Sequence, residues 1–166
     1  MRRDLYHLPC CRSLAVMTAL CFPATGGAGQ ALLVVETQEG VASYDIAALE
    51  ALGPVEVTTT TVWTQGTQHF TGVALDALLA DAGIDEGTIV AIAINDYAVE
   101  IPVAEARRDS DGYGPVIAYH LNGQPMTVRD KGPLWLVYPY DARSDFQSEV
   151  VYTRSIWQLD RIRQSR

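Results

Sequence analysis

Residues 128–141 constrain the fold of this chain more than any other part of its sequence. Their apolar centre, residues 134–138, favours a strand and is too short for a helix. A Gly-Pro pair precedes this centre, and Pro139 ends it because proline cannot donate a hydrogen bond to a neighbouring strand. The pattern predicts a buried strand with charged and aromatic side chains at its ends. Such ends suit a flat polar ligand, although an ordinary core strand with solvated ends remains the alternative.

The rest of the chain alternates short apolar segments with a few short helical patterns. Strands are predicted at residues 32–35, 55–63, 88–94, 97–101, 116–121 and 124–128, with one or two more within 150–162. Helices are predicted at residues 46–52, 74–82 and 102–107. Turn residues Asn95-Asp96 and Asn122-Gly123 predict two hairpins. The fold class is therefore α+β, with mixed sheets and a single domain over residues 32–166.

The first 31 residues have the pattern of a cleavable signal peptide. Arg2, Arg3 and Arg12 precede an apolar run at residues 14–22, and small residues follow up to Ala31. A run of nine residues is too short to cross a bilayer core of about 30 Å, which disfavours an uncleaved anchor. The pattern predicts export to the periplasm, and cleavage after Ala28 or Ala31 fits equally well.

Cysteine and charge are both unevenly distributed. Cys10, Cys11 and Cys21 are the only cysteines and lie inside the predicted leader, so the mature protein would have no thiol for a disulfide or a metal. Without three Arg and one Asp of the leader, nine Lys+Arg face 19 Asp+Glu, a net charge of −10. This acidic balance argues against nucleic acid binding. All nine cations follow residue 106, where a local anion site is still feasible.

Motifs for catalysis are missing from the sequence. It contains no Gly-x-Ser-x-Gly motif and no Walker or dinucleotide-binding loop. Outside the leader, the only histidines are His69 and His120, which are far apart and therefore make a metal site a weak hypothesis. The remaining polar and aromatic residues are better suited to binding a ligand than to catalysis.

Several of these residues occur at predicted turns and strand ends. Trp63 lies where a threonine-rich strand meets a loop, and its indole is either a stacking surface or part of the core. Asp96 and Tyr97 occupy a turn tip, and Arg129 and Lys131 flank the Gly-Pro turn. Arg154 adds a planar bidentate donor.

Four ordered motifs resemble the oxidoreductase molybdopterin-binding domain of the sulfite oxidase superfamily. They are Phe-Thr-Gly-Val-Ala-Leu-Asp-Ala-Leu-Leu at residues 70–79, Ala-Ile-Asn-Asp-Tyr at 93–97, Leu-Asn-Gly-Gln-Pro-Met at 121–126, and Gly-Pro-Leu-Trp-Leu-Val-Tyr-Pro at 132–139. The sequence is most similar to small secreted members that carry Val-Arg-Asp-Lys-Gly-Pro-Leu-Trp at 128–135 and Arg-Ser-Ile-Trp-Gln-Leu at 154–159.

The resemblance implies a pterin-shaped cleft. In the molybdenum enzymes of the superfamily a cysteine after the threonine-rich strand ligates the metal, whereas this chain has Trp63 near that place and no cysteine within reach. Related cysteine-free members resemble pterin-binding sensors that pair with the periplasmic domain of a membrane cyclic-di-GMP synthase or phosphodiesterase. The implied function is therefore non-catalytic pterin binding. The alternatives are a molybdopterin-dependent oxidoreductase with atypical metal ligation and a pure interaction module.

The predicted ligand contacts follow from this resemblance. Trp63 and Tyr97 are expected to stack on the pterin, and Asp96 and Asp141 are expected to accept hydrogen bonds from its amino edge. The remaining predicted contacts, which would hold carbonyl or anionic groups or line the cleft, are Arg129, Lys131, Arg154 and Tyr138.

Overall fold

The computed structural model describes residues 30–165, which form two five-stranded sheets with short helices. The ten strands in this range are β1 (Leu33–Glu36), β2 (Val41–Tyr44), β3 (Pro54–Thr59), β4 (Gln68–Ala74), β5 (Thr88–Ala93), β6 (Ala98–Pro102), β7 (Val116–Leu121), β8 (Gln124–Pro125), β9 (Trp135–Val137) and β10 (Leu159–Gln164). The predicted α+β class with mixed sheets is confirmed.

Four α-helices lie in the same range: α1 (Ile46–Ala51), α2 (Leu75–Asp81), α3 (Val103–Ala106) and α4 (Glu149–Arg154). Single 3₁₀ turns occur at Val128–Asp130 and Ser144–Phe146. The Asp45 side chain caps α1 by accepting from the Ala48 backbone N–H at 2.8 Å. Gly53, with φ of 95°, supplies the left-handed residue that follows the same helix.

The first sheet has the strand order β2-β1-β10-β5-β6, and the second has β3-β4-β7-β8 with β9 also paired to β7. Within the described residues only the β1–β10 pair is parallel. Both predicted hairpins are confirmed, since β5 pairs with β6 and β7 pairs with β8 in antiparallel register. The strand predicted at the centre of residues 128–141 is β9, and it is fully buried.

One apolar cluster joins the two sheets. Leu33 and Ile162 of the first sheet belong to the same buried cluster as Phe70, Ile117 and Trp135 of the second. The leucine stripe of α2, predicted from its helical spacing, is also buried there. Trp135 is completely inaccessible to solvent, so the strand that carries it is anchored in the middle of the core.

Three predicted elements differ from the structure. The strand predicted at residues 124–128 extends only over Gln124–Pro125, and the 3₁₀ turn Val128–Asp130 follows it. The segment 150–162 was predicted to be extended, but its first part is helical because Ser148 caps α4 by accepting from the Val151 backbone N–H. Glu149 in the first turn and Arg154 in the last complement the helix dipole. The strand predicted to run to Trp63 ends at Thr59, where the chain turns to meet Asp141.

The predicted signal peptide and its cleavage sites lie outside the described residues, except for Gln30 and Ala31 at the boundary. Among residues 30–165, no helix is both long and apolar enough to span a bilayer.

Gly72 is a point of very close contact between β4 and β7. A Cβ atom placed on Gly72 would lie 2.2 Å from the Ile117 carbonyl oxygen and 2.6 Å from the Ala118 Cα. The pairing register of the two strands shifts between Thr71 and Gly72. Because the opposing atoms are backbone, the clash cannot be relieved by a side-chain rotation.

We therefore expect Gly72→Ala to lower the free energy of unfolding by about 3 kcal/mol, as overpacking of a rigid core does. Urea denaturation would measure this loss. Gly40→Ala is the matched control, because a Cβ there meets nothing within 4 Å, and its effect should stay within about 0.5 kcal/mol. Equal effects of the two substitutions would contradict the packing argument.

Candidate functional site

An aromatic cleft of about 270 Å³ lies where the turn after β5, the loop after β3 and the segment that follows α4 meet. The residues that line it are Trp63, Ala93, Asn95, Tyr97, Tyr152, Thr153, Ser155, Ile156, Trp157 and Gln158. Two indoles and two phenols contribute to a surface that is mainly apolar. We call this site the aromatic cleft.

Trp63 is at the centre of a cluster of rings. Its indole makes edge-to-face contacts with Trp135, Tyr140, Tyr152 and Trp157, at centroid distances of 5.7–6.1 Å. Such pairs favour fixed ring orientations, because the positive edge of one ring meets the negative face of the other. Trp63 thus packs against the core and also lines the cleft, and its stacking on a ligand stays a prediction.

Tyr97 is held at the opposite wall by its own turn. The Asn95 side chain accepts from the Tyr97 backbone N–H at 3.2 Å, and Asp96 adopts the left-handed conformation with φ of 64°. The Tyr97 hydroxyl donates to the Thr153 carbonyl at 3.3 Å, which connects the β5–β6 turn to α4. The ring itself is 46% exposed and remains available to a ligand.

Lys131 provides a cation near this cleft. Its ammonium lies 5.2 Å from the centroid of Trp157 and 5.6 Å from that of Trp135, within the range of cation–π attraction. Gln158 holds the segment in place, because its backbone N–H donates to the Lys131 carbonyl and its side-chain amide donates to the Val128 carbonyl.

Asp141 is engaged by the protein itself. Its carboxylate accepts from the Thr60 backbone N–H and from the Thr60 hydroxyl, both at 2.6 Å, while its own N–H donates to the Thr59 hydroxyl at 3.1 Å. We call these three hydrogen bonds the Thr-Asp clasp. The Thr60 hydroxyl and N–H lower the pKa of the Asp141 carboxyl because they stabilise its charged form.

The structure brings only some of the predicted ligand residues together. Trp63 and Tyr97 line the aromatic cleft, and Lys131 contacts its Trp157 wall. Asp96 is exposed at the turn beside the cleft, and Arg129 is exposed on a 3₁₀ turn.

The other three predicted residues lie elsewhere. Tyr138 and Arg154 line a different cleft on the other side of α4, and Asp141 lines neighbouring depressions near β3. A single pterin in the aromatic cleft is therefore not surrounded by all eight predicted residues.

Two aromatic residues that line the cleft, Tyr152 and Trp157, were missing from the predicted set. Tyr152 was assigned to a strand, and only as a helical residue of α4 does it point its ring at Trp63. Trp157 belongs to the Arg-Ser-Ile-Trp-Gln-Leu motif at residues 154–159, and the residue is 38% exposed. Its place in that motif was the available clue.

Among the described residues, no group of three or more His, Cys, Asp or Glu side chains is arranged to hold a metal ion. The aromatic cleft can offer stacking surfaces, amide groups and one nearby ammonium. These are the contacts that a flat heterocycle with polar edges requires.

The lowered pKa of Asp141 predicts a pH-dependent contribution to stability. Removing the charge with Asp141→Asn should cost about 1 kcal/mol of unfolding free energy at neutral pH, because hydrogen bonds to a charged acceptor are lost. This difference should be complete above about pH 4, the pKa of an unfolded Asp, and should shrink as pH falls through the lower folded-state pKa. Denaturant titrations at neutral and acidic pH would measure it.

Asp96→Asn is the control, because Asp96 is exposed and asparagine also tolerates the left-handed conformation. It should change stability by no more than about 0.5 kcal/mol. A difference between wild type and Asp141→Asn that does not change with pH would contradict the role assigned to the carboxylate.

Comparison with known structures supports the fold. The chain is similar to the sulfane dehydrogenase SoxCD from Paracoccus pantotrophus, with a TM-score of 0.59 and 18% sequence identity. The match covers 80% of this chain and 37% of the SoxCD chain, so the present chain spans well under half the length of that relative. No curated protein sequence matches this chain.

The sequence pattern of one protein family matches residues 42–143, which is more than half of the chain. That range begins in β2 and ends just after the Thr-Asp clasp, so it includes Trp63 and the turn that carries Tyr97. The fold and this match agree, and the chain belongs to the oxidoreductase molybdopterin binding domain family of sulfite oxidase-like fold.

Proposed function

We propose that this protein is a periplasmic, non-catalytic pterin-binding protein that relays ligand status to a membrane signalling partner. The ligand is a pterin held in the aromatic cleft. The partner is the periplasmic domain of a membrane enzyme that makes or degrades cyclic-di-GMP.

One observation carries the pterin proposal: the aromatic cleft has retained a size and chemistry suited to a bicyclic heterocycle. Its volume of about 270 Å³ can admit a flat two-ring system between Trp63, Tyr97 and Trp157. Asn95 and Gln158 supply amide groups at its border. Stacking on such rings typically contributes about 1–3 kcal/mol per heterocycle, which suits a small uncharged ligand.

The residues at this site do not fit a molybdenum centre. The family implies molybdopterin, but none of the described residues is a cysteine. The place nearest the expected thiolate is occupied by the Trp63 indole, which is surrounded by four other aromatic rings. Neither indole nor phenol groups replace a thiolate as a soft metal ligand. We therefore derive no redox step for this site.

The relay to a partner is supported by the mouth of the cleft. Ile94, Tyr97 and Trp157 are 51%, 46% and 38% exposed, which places apolar surface around the opening. A partner that covers this surface would contact both the protein and the edge of a bound pterin. Periplasmic location is supported by the signal-peptide pattern of the first 31 residues.

The test of pterin binding uses fluorescence titration of purified protein with an oxidised pterin. Tyr97→Ala should weaken binding about tenfold, because one stacking surface is lost while the exposed ring contributes little to the fold. Trp63→Ala should abolish binding, and circular dichroism would verify that it remains folded.

Tyr113→Ala is the matched control, because Tyr113 is also an exposed tyrosine, at 43%, but does not line the aromatic cleft. It should leave pterin affinity unchanged. Wild-type affinity in Trp63→Ala would remove the aromatic cleft from the proposal.

The competing function is a molybdopterin-dependent oxidoreductase with atypical ligands, which family membership favours. Elemental analysis and mass spectrometry of natively exported protein separate the two functions. We expect a bound pterin with molybdenum far below one atom per chain. Stoichiometric molybdenum would instead establish the competing function, and a captured partner without any small molecule would indicate a pure interaction module.

A further inference from the structure

A second cleft, of about 430 Å³, lies on the opposite side of α4 and shares no lining residue with the aromatic cleft. Tyr152 and Thr153 of α4 face the aromatic cleft, whereas Val151 and Arg154 line the second one. Four guanidinium groups line it, and we call it the arginine cleft. These groups belong to Arg107, Arg108, Arg143 and Arg154.

Two of these arginines are already neutralised by the protein. Arg143 forms ion pairs with both Asp109 and Asp145. The Tyr113 backbone N–H, together with Arg143, lowers the pKa of the Asp109 carboxyl, and Arg143 lowers the pKa of the Asp145 carboxyl. Arg108 pairs with Asp76 at 3.0 Å, so the charges of Arg108 and Arg143 are largely compensated. Arg107 is exposed to solvent and donates to the Asp85 carbonyl, and within the described residues it has no carboxylate partner.

Arg154 differs from the other three arginines because much less of its side chain is exposed to solvent. Its side chain is 14% exposed and has one ionic partner, Glu105, which is itself 56% exposed. A guanidinium carries five N–H donors, and within residues 30–165 Arg154 uses one of them, in the bond to Glu105. Arg154 lines the arginine cleft.

Tyr138 lines the same cleft and carries a second unused donor. The residue is 3% exposed, and its hydroxyl oxygen is buried behind the cleft surface with no hydrogen-bond partner among the described residues. Burial raises the pKa of Tyr138, so the group remains a neutral hydroxyl that can donate. An unpaired buried hydroxyl is costly unless something outside the protein chain accepts its hydrogen bond.

We propose that the arginine cleft is a binding site for an oxyanion held jointly by the Arg154 guanidinium and the Tyr138 hydroxyl. An oxyanion accepts hydrogen bonds from both groups and adds the negative charge that a partly compensated guanidinium attracts. Phosphate monoesters and carboxylates share this chemistry. The inference does not depend on pterin binding, because the two clefts share no lining residue.

The cleft also has features that limit what it accepts. Glu105, Asp109 and Asp145 line it together with the arginines, so a large polyanion would meet repulsion on several sides. A small ligand with a single anionic group avoids most of these carboxylates. The expected ligand therefore carries one phosphate or one carboxylate that reaches the Arg154 wall.

Isothermal titration calorimetry with inorganic phosphate and with acetate, at constant ionic strength, tests the proposal on the full mature protein. Wild type should bind at least one of the two anions saturably. Tyr138→Phe should weaken binding about tenfold, and Arg154→Gln should weaken it by more, because a hydrogen bond from a charged donor is stronger than one from a neutral hydroxyl. Tighter binding of phosphate assigns a phosphate monoester, and tighter binding of acetate assigns a carboxylate.

Tyr119→Phe is the control for loss of a tyrosine hydroxyl, because Tyr119 is also buried but lines neither cleft. It should retain wild-type anion affinity. In the absence of anion, Tyr138→Phe should melt at or above the wild-type temperature, since the variant removes an unpaired buried hydroxyl. The proposal is overturned if wild type binds neither anion, or if Tyr138→Phe and Arg154→Gln bind as tightly as wild type.

The same titrations separate this site from the aromatic cleft. Trp63→Ala should lose pterin binding and keep anion binding. Loss of anion binding in Arg154→Gln with pterin binding intact would be the complementary result. Either function can therefore fail without the other.

Discussion

The Thr-Asp clasp is the interaction on which the arrangement of the functional surface depends. Three hydrogen bonds join Thr59 and Thr60, at the end of β3, to Asp141, which closely follows β9. Because β9 is buried in the core, it is held rigidly, and the clasp fixes the start of the loop after β3 to it. Trp63 lies three residues beyond the clasp, so its ring contacts are made from an anchored backbone.

Aromatic packing determines what kind of site this family member can have. The rings that surround Trp63 come from β9, from the residues after it, and from α4 and its C-terminal side. This concentration of rings excludes water and favours flat apolar faces, whereas a metal centre needs anionic or strongly donating ligands in the same space. The proposed function is therefore ligand sensing and not redox chemistry, because aromatic rings occupy the place where a metal centre would need its ligands.

The sequence predicted correctly those elements whose structure is determined by local residue patterns. The hairpin turns at Asn95-Asp96 and Asn122-Gly123, the leucine stripe of α2 and the buried strand before Pro139 all follow from residue periodicity and turn chemistry. Short-range alternation failed at α4, where a serine cap outweighed the β-branched residues. The division of the predicted ligand residues between two clefts depends on which side of α4 each faces, and that requires tertiary structure.

Helix α4 has six residues, none of them fully buried, and it separates two clefts of opposite character. Because α4 lines both clefts, a ligand that displaced the helix from one side would change the free energy of binding on the other. Linkage requires this coupling to be equal in both directions. Affinity for one small molecule would then depend on the presence of the other, without a change in fold.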